Sequence, residues 1–294
     1  MSARTARTAA FRALHGAGCF VMANAWDTGS ARLFAGAGMK ALATTSSGFA
    51  AREGHRDGAG ELAREAAIAH AAEIAAATGL PVSADLEDCY AATPEGVAET
   101  VRLAAAAGLA GLSIEDIRPG AADPAWPFDE AVARVAAAAA AAREADIVLT
   151  ARADGMLHGA YGLDGALARL RAFEAAGAEV LYAPGLPDLA ALRSLCAGVS
   201  RPVNHVIGLG AAGAGLAEIA AAGVRRVSLG GSLARVAYGA ALEAACEIAE
   251  GRFDRAEAGP GWGEIRAAMA AGRDTAGALE NPAADASAAE PPPV

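Results

Sequence analysis

A single lysine, Lys40, stands in the chain of 294 residues; the other basic side chains are arginines. Lys40 precedes an apolar run expected to be a strand and does not end one. Schiff-base and pyridoxal phosphate chemistry need a placed lysine, so both are disfavoured. Cysteine is scarce too. Cys19, Cys89, Cys196 and Cys246 are widely separated, with no C-x-x-C. Buried thiols in a reducing compartment are expected, and a structural zinc site is not. No basic cluster exists and the net charge is −10, which argues against nucleic acid and anionic membrane partners. No apolar run is long enough to span a bilayer, because Arg, Glu and Gly interrupt the Ala-rich stretches. Met1–Thr8 leads into an amphipathic stretch, not a signal sequence. A cytoplasmic protein is expected. There is no G-x-S-x-G.

What is there is a rhythm. The hydrophobic fraction is 54%, ample for a full core. Short apolar runs alternate with longer Ala/Leu/Glu/Arg segments of helical period. The runs are Cys19–Ala25, Ala41–Thr45, Pro81–Asp85, Gly111–Glu115, Asp146–Ala151, Glu179–Ala183, Pro202–Ile207 and Arg226–Leu229. The helical segments are 28–37, 61–78, 95–107, 129–144, 164–176, 187–197, 213–222 and 232–250, with one more helix at 3–16. Several end in Ala-Gly before the next run, as a helix C-cap and tight turn require. Eight such units point to an α/β fold, a (β/α)8 TIM barrel with an N-terminal helix. A doubly wound open sheet is the alternative. Residues 1–272 read as one domain, with a short helix around Trp262–Ala271. Residues 273–294, Ala/Pro-rich, read as a disordered tail.

In such a barrel the chemistry lies at the strand ends. The third run ends in Ser83-Ala84-Asp85-Leu86-Glu87-Asp88. Strand alternation puts Asp85 and Glu87 on one face and turns Asp88 away. Two carboxylates on one face call for a cation. Glu115 ends the fourth run, and Asp57 stands in the loop after the second. No Cys or His accompanies them at ligand spacing, so the all-oxygen set Asp85, Glu87 and Glu115 suits Mg2+, with Mn2+ possible. The bland alternative is a surface acid cluster. Arg152, ending the fifth run, is the counter-charge, either as a salt bridge to these acids or as a fork for a carboxylate. Ser46, Ser47 and Gly48 offer hydroxyls and N–H groups to an anion, or form an ordinary loop. Asn204 is the seventh run's polar contribution to substrate binding. His205 beside it reads as a satisfied near-core imidazole. His55 and His158, in loops, are possible proton carriers. Gly208–Gly213 spells G-x-G-x-x-G, with no acid at the spacing a dinucleotide ribose needs. With Gly230-Gly231-Ser232 it forms either a phosphate cradle or two tight turns.

Taken together, Asn24-Ala25-Trp26-Asp27, Thr45-Ser46-Ser47-Gly48, Ala84–Asp88, Ser113-Ile114-Glu115-Asp116, Thr150–Asp154 and Arg226–Ala234 resemble the isocitrate lyase/phosphoenolpyruvate mutase superfamily over residues 10–250. The resemblance implies a barrel that exchanges its last helix between subunits, as a tetramer or dimer. It implies Mg2+ held by Asp85, with Glu87, Glu115 and Asp57 acting through waters. It implies a 2-oxo acid held by Ser46, Ser47 and Gly48 with help from Arg152, and catalysis by Arg152, Glu115 and Asp57. Isocitrate-type lyases of that family carry a catalytic cysteine in the following loop. Here Ile117–Pro127 holds neither Cys nor Lys. The expected activity is therefore a Mg2+-dependent lyase that cleaves a C–C bond of a small 2-oxo or 2-hydroxy carboxylate through a pyruvate enolate. It would resemble an oxaloacetate decarboxylase or methylisocitrate lyase. A phosphoenolpyruvate mutase or phosphonopyruvate hydrolase is the second reading, and a non-catalytic carboxylate-binding barrel the third.

Overall fold

Eight short parallel strands close on themselves in sequence order. The computed structural model describes residues 2–16, 18–209 and 213–275. The chain begins with α1 (Ala3–Gly16) and continues β1 (Phe20–Asn24), α2 (Thr28–Gly36), β2 (Leu42–Ala43), α3 (Ser46–Glu53), α4 (Arg64–Ala77), β3 (Val82–Asp85), α5 (Pro94–Ala106) and β4 (Gly111–Glu115). Then come α6 (Phe128–Ala145), β5 (Val148–Arg152), α7 (Leu163–Ala176), β6 (Val180–Tyr182), α8 (Leu189–Ala197), β7 (Val203–Val206), α9 (Leu216–Ala221) and β8 (Arg226–Ser228). The chain continues with α10 (Ser232–Ala249), α11 (Asp254–Glu257) and α12 (Trp262–Asp274). The closed barrel replaces the open-sheet alternative. All eight expected strands form.

Local chemistry sets the helix starts. The Asp27 side chain accepts from the Ser30 N–H, and Thr93 caps α5 ahead of Pro94. Helix α3 was expected only as a loop. It forms because Thr45 caps it and Gly54, at φ 74°, ends it in the left-handed conformation. Helix α1 closes the barrel's N-terminal end. Phe11 is fully buried there, and a Cβ on Gly111 would sit 2.7 Å from its ring. Arg12 pins the helix to Asp146 and Glu179, at the turns entering β5 and β6. Lys40 lies exposed at this same end, away from the strand C-termini.

Three more expectations change. Strand β3 stops at Asp85, so alternation does not carry on to Glu87. Glu87 instead sits in a turn at φ 48°, followed by Cys89 and Tyr90 also at positive φ. The cysteines are not mostly buried: Cys89 is, Cys19 and Cys196 are half-buried, and Cys246 is exposed. Helix α10 leaves the barrel. Ala234 is its one buried residue among those described, and Val236 and Leu242 are each 66% exposed. Helix α12 packs on α2 and runs to Asp274, so the first residues of the expected tail are helical. The rest of that tail, and residues 210–212 of the G-x-G-x-x-G stretch, lie outside the described residues. No described helix is long and apolar enough to cross a membrane.

Candidate active site

A cavity of about 450 Å3 opens at the strand C-termini. Asp57, Asp85, Glu87, Glu115, Arg152, Ser46, Ser47 and Asn204 all line it. Arg152 is its centre. Glu115 and Arg152 pair in register across β4 and β5, and the Arg152 Nη1 lies 2.8 Å from Glu115 and 3.0 Å from Asp85. Its Nη2 donates to Asp154 at 2.6 Å. The ring of Tyr182, next in register on β6, lies 4.7 Å from the guanidinium carbon. Burial works against the Arg152 charge, but Asp154, Glu115 and Asp85 outweigh it and hold the group protonated.

Opposing that one guanidinium is a surplus of carboxylates. Burial and the charges of Asp85 and Asp57 push Glu87 up to about 7, despite the hydrogen bond from Tyr90 Oη at 3.0 Å. Burial pushes Glu115 up as well, and Arg152 offsets only part of the effect. Asp57, on the exposed loop after α3, is raised by lost solvation and by Asp85. These acids lack positive charge, and all their donor atoms are hard oxygens. That combination fits Mg2+ or Mn2+. Asp85, Glu87 and Glu115 do not form a closed cage of direct ligands, however. Among the described residues no three His, Cys, Asp or Glu side chains are arranged to hold a metal by themselves. Arg152 already lies against both Asp85 and Glu115. Mg2+ keeps several waters and needs only one or two direct carboxylates, so the fit stands with fewer ligands.

The start of α3 lines the cavity beside Asp85. The Ser46 N–H donates to Asp85 Oδ2 at 3.0 Å, and the Thr45 and Ser47 hydroxyls meet at 2.9 Å. A helix N-terminus carries positive potential, which suits an anion, and here it already receives the Asp85 carboxylate. Gly231 comes so close that a Cβ there would sit 2.5 Å from Ser47 Oγ. Gly48 is not brought to the cavity. It is buried, its N–H faces Thr45 Oγ1 at 3.4 Å, and a Cβ would strike Thr45 and Trp26. Asn204 reaches the floor with its amide engaged, donating to Ser228 and accepting from Arg226. His158 lines the cavity, whereas His55 pairs with exposed Glu61. His205 is buried with Nε2 unpartnered, not satisfied. Asp88 faces α6, where Arg134 donates to its backbone carbonyl at 2.7 Å.

Sequence reasoning passed over Asp154, Asp116 and Tyr182. Asp116 accepts from the Asp154 N–H at 2.8 Å and from Tyr161 Oη at 2.6 Å, and pairs with Arg169 at 3.1 Å. It thereby fixes the turn that aims Asp154 at Arg152. Asp154 was findable, since it stands two residues beyond Arg152 at a strand end. Tyr182 gave no such signal. The segment after Asp116 folds as a small hairpin, bridged at Ile117 and Ala125, and covers the cavity with Arg118, Pro119 and Gly120.

The comparisons agree with the barrel fold. A provisionally assigned lyase/mutase from Burkholderia cenocepacia J2315 shares 46% identity, covering 93% of this chain and 99% of that one, with a TM-score of 0.88. A 2,3-dimethylmalate lyase, described as a PEP mutase/isocitrate lyase superfamily member, shares 28% identity over 85% of this chain and 88% of its own, with a TM-score of 0.75. An uncharacterized protein of Mycobacterium tuberculosis is 41% identical over 107 residues, a match that spans 36% of this chain and only 40% of that relative. The phosphoenolpyruvate phosphomutase family profile matches residues 11–249, and the chain belongs to that family, within the PEP mutase/isocitrate lyase superfamily.

Proposed function

We propose that the protein is a Mg2+-dependent lyase, with Mn2+ as a substitute, that cleaves a C–C bond of a small 2-oxo or 2-hydroxy dicarboxylate. The observation that carries this is the shared Arg152 Nη1, held between Asp85 and Glu115 in a cavity that the start of α3 also lines. Asp85 would hold the metal directly, with Glu87, Glu115 and Asp57 through waters. When bound, the metal supplies Lewis-acid stabilisation of negative charge on a substrate oxygen. Ser46 and Ser47 would take the substrate carboxylate adjoining the ketone. Arg152, kept charged by its acids, places fixed positive charge where the enolate develops.

The hairpin's composition supports decarboxylation within that class. Loss of CO2 leaves its electron pair on the enolate and asks no protein acid to protonate the leaving group. Ile117–Pro127 offers no thiol or lysine for that task. A 2,3-dimethylmalate lyase of the same superfamily is a precedent for C–C chemistry on a dicarboxylate. Second comes phosphonate chemistry, favoured by the family match itself. We further propose a homo-oligomer, because the apolar side of α10, with Val236 and Leu242, is left exposed among the described residues.

Purified protein, metal-stripped and then reloaded, should turn over oxaloacetate only with Mg2+ or Mn2+. Activity without metal would sink the metal assignment. Turnover of phosphonopyruvate in place of oxaloacetate would move the protein to the second reading. Binding of pyruvate-type anions with no turnover of either substrate would leave a non-catalytic barrel.

A further inference from the structure

Below the carboxylates, on the barrel floor, lies a second arginine with no acid beside it among the described residues. Glu115, Arg152, Tyr182, Asn204 and Arg226 follow one another in register across β4 to β8. Strand tilt carries this row from the mouth, where Glu115 and Arg152 end their strands, to the floor, where Arg226 begins β8. Arg226 is 3% exposed. Among the described residues it forms no ion pair, and the formal charge that acts on it is the like charge of Arg152. Its partners are neutral. Nε donates to Asn204 Oδ1 at 2.8 Å and Nη2 to Thr150 Oγ1 at 3.1 Å. Nη1 lies 3.5 Å from His15 Nε2. His15 Nδ1 faces the Phe11 carbonyl at 2.8 Å, so Nδ1 carries the proton and Nε2 is the acceptor.

Arginine stays charged in proteins, and burial that pushes Arg226 down to about 9 still leaves it protonated at neutral pH. A buried, uncompensated charge is costly. The floor is also rich in donors. The guanidinium brings five N–H groups. Thr150 and Ser228 act as acceptors in their bonds to Arg226 and Asn204, which leaves both hydroxyl protons to give. One cavity reaches Thr150, Arg226 and Ser228 from the mouth.

We propose that the barrel floor binds a monovalent anion of halide size against the Arg226 guanidinium, with the Thr150 and Ser228 hydroxyls as further donors. One unit of positive charge in a donor-rich chamber calls for one unit of negative charge that accepts hydrogen bonds and brings no donor of its own. A halide meets both conditions. This site is separate from the proposed metal site and does not depend on it.

Bromide tests it directly, through its anomalous scattering. Crystals of the wild-type protein grown with sodium bromide should show an anomalous peak within contact of the Arg226 guanidinium. In solution, replacing gluconate by bromide at fixed ionic strength should raise the wild-type unfolding temperature by about 3 °C, saturably. Arg226→Met should lose that dependence. If the variant does not fold, the wild-type crystal and titration decide alone. No peak at Arg226, or a peak there that formate abolishes while bromide leaves the unfolding temperature unchanged, overturns the halide site; the second result assigns the floor to a substrate carboxylate.

Discussion

Arg152 and Glu115 stand opposite each other on neighbouring strands, and their charged groups meet at 2.8 Å inside the barrel mouth. The pair is not exclusive. Asp85 and Asp154 lean on the same guanidinium, from β3 and from the turn after β5. One cation thus organises three acids brought from three places in the chain. Removing it leaves buried carboxylates facing one another, while adding a divalent cation relieves the same repulsion.

Replacing Arg152 separates charge from shape. Arg152→Lys keeps the charge but lacks the planar fork that reaches Glu115, Asp85 and Asp154 together. Steady-state kinetics on the accepted substrate should show kcat/KM reduced by about 100-fold or more. Arg152→Met should also destabilise the metal-free protein by roughly 3–5 kcal/mol in urea unfolding, since it leaves buried charge uncompensated. Wild-type kinetics in the lysine variant would remove Arg152 from the reaction.

Glu87 gives the metal-free protein a pH signature. Its folded pKa, about 7, lies above its ordinary value of 4.5, so the folded state binds the proton more tightly than the unfolded state. Stability from this group is therefore lost as pH rises from about 4.5 to about 7 and is constant above, a change on the order of 3 kcal/mol. His15 works in the opposite direction. Burial and Arg226 lower it to about 3, so its contribution grows as pH rises from there toward its ordinary 6.5. The wild-type minus Glu87→Gln difference in urea unfolding isolates the Glu87 slope. Saturating Mg2+ should flatten that difference, because the metal favours the ionised carboxylate. Parallel curves for the two proteins in EDTA would contradict the assignment.

Metal removal should show in stability as well as in rate. Mg2+ added to stripped protein should raise the unfolding temperature by a few degrees, about 3 °C for a domain of this size. Asp85→Ala should fold, lose that response and lose activity. An Asp85→Ala protein that still turns over substrate with Mg2+ would take Asp85 out of the site.

Gly231 tests the carboxylate wall without touching an acid. A Cβ there meets Ser47 Oγ at 2.5 Å, the tip of a side chain that can rotate away. Gly231→Ala should therefore fold with a near-normal unfolding temperature and raise KM about tenfold, with a smaller change in kcat. Gly155→Ala is the contrasting case. Its Cβ would lie 2.1 Å from the Tyr161 ring, which is tied to Asp116. That substitution should cost about 1–3 kcal/mol of stability. Equal losses of stability in the two variants would show that Gly231 is structural.

Much of this was legible along the chain. Short apolar runs separated by segments of helical period marked all eight strands, because parallel strands buried on both faces and one-sided helices leave those patterns. Asp85, Glu115 and Arg152 were legible because each ends a strand, where the closed barrel gathers side chains. Glu87 reached the cavity for a reason that the alternation argument did not contain, a left-handed turn after Asp85. The α3 helix was hidden because Ser-Ser-Gly reads as loop until Thr45 is seen capping it. Gly48 was misplaced for the same reason: in a helix its Cα turns inward against Trp26.

By itself, then, the sequence determined the eight strand–helix units, the strand ends at which the candidate site gathers, and the all-oxygen make-up of its acids, since each follows from residue order and periodicity. Tertiary structure alone decided who neutralises whom. Among the described residues it gave Arg152 to three acids and left Arg226 without one, and it engaged Asn204 with its neighbours and left Val236 and Leu242 of α10 exposed. Those outcomes depend on distances across strands far apart in the chain, set by register and tilt, which no local pattern of residues encodes.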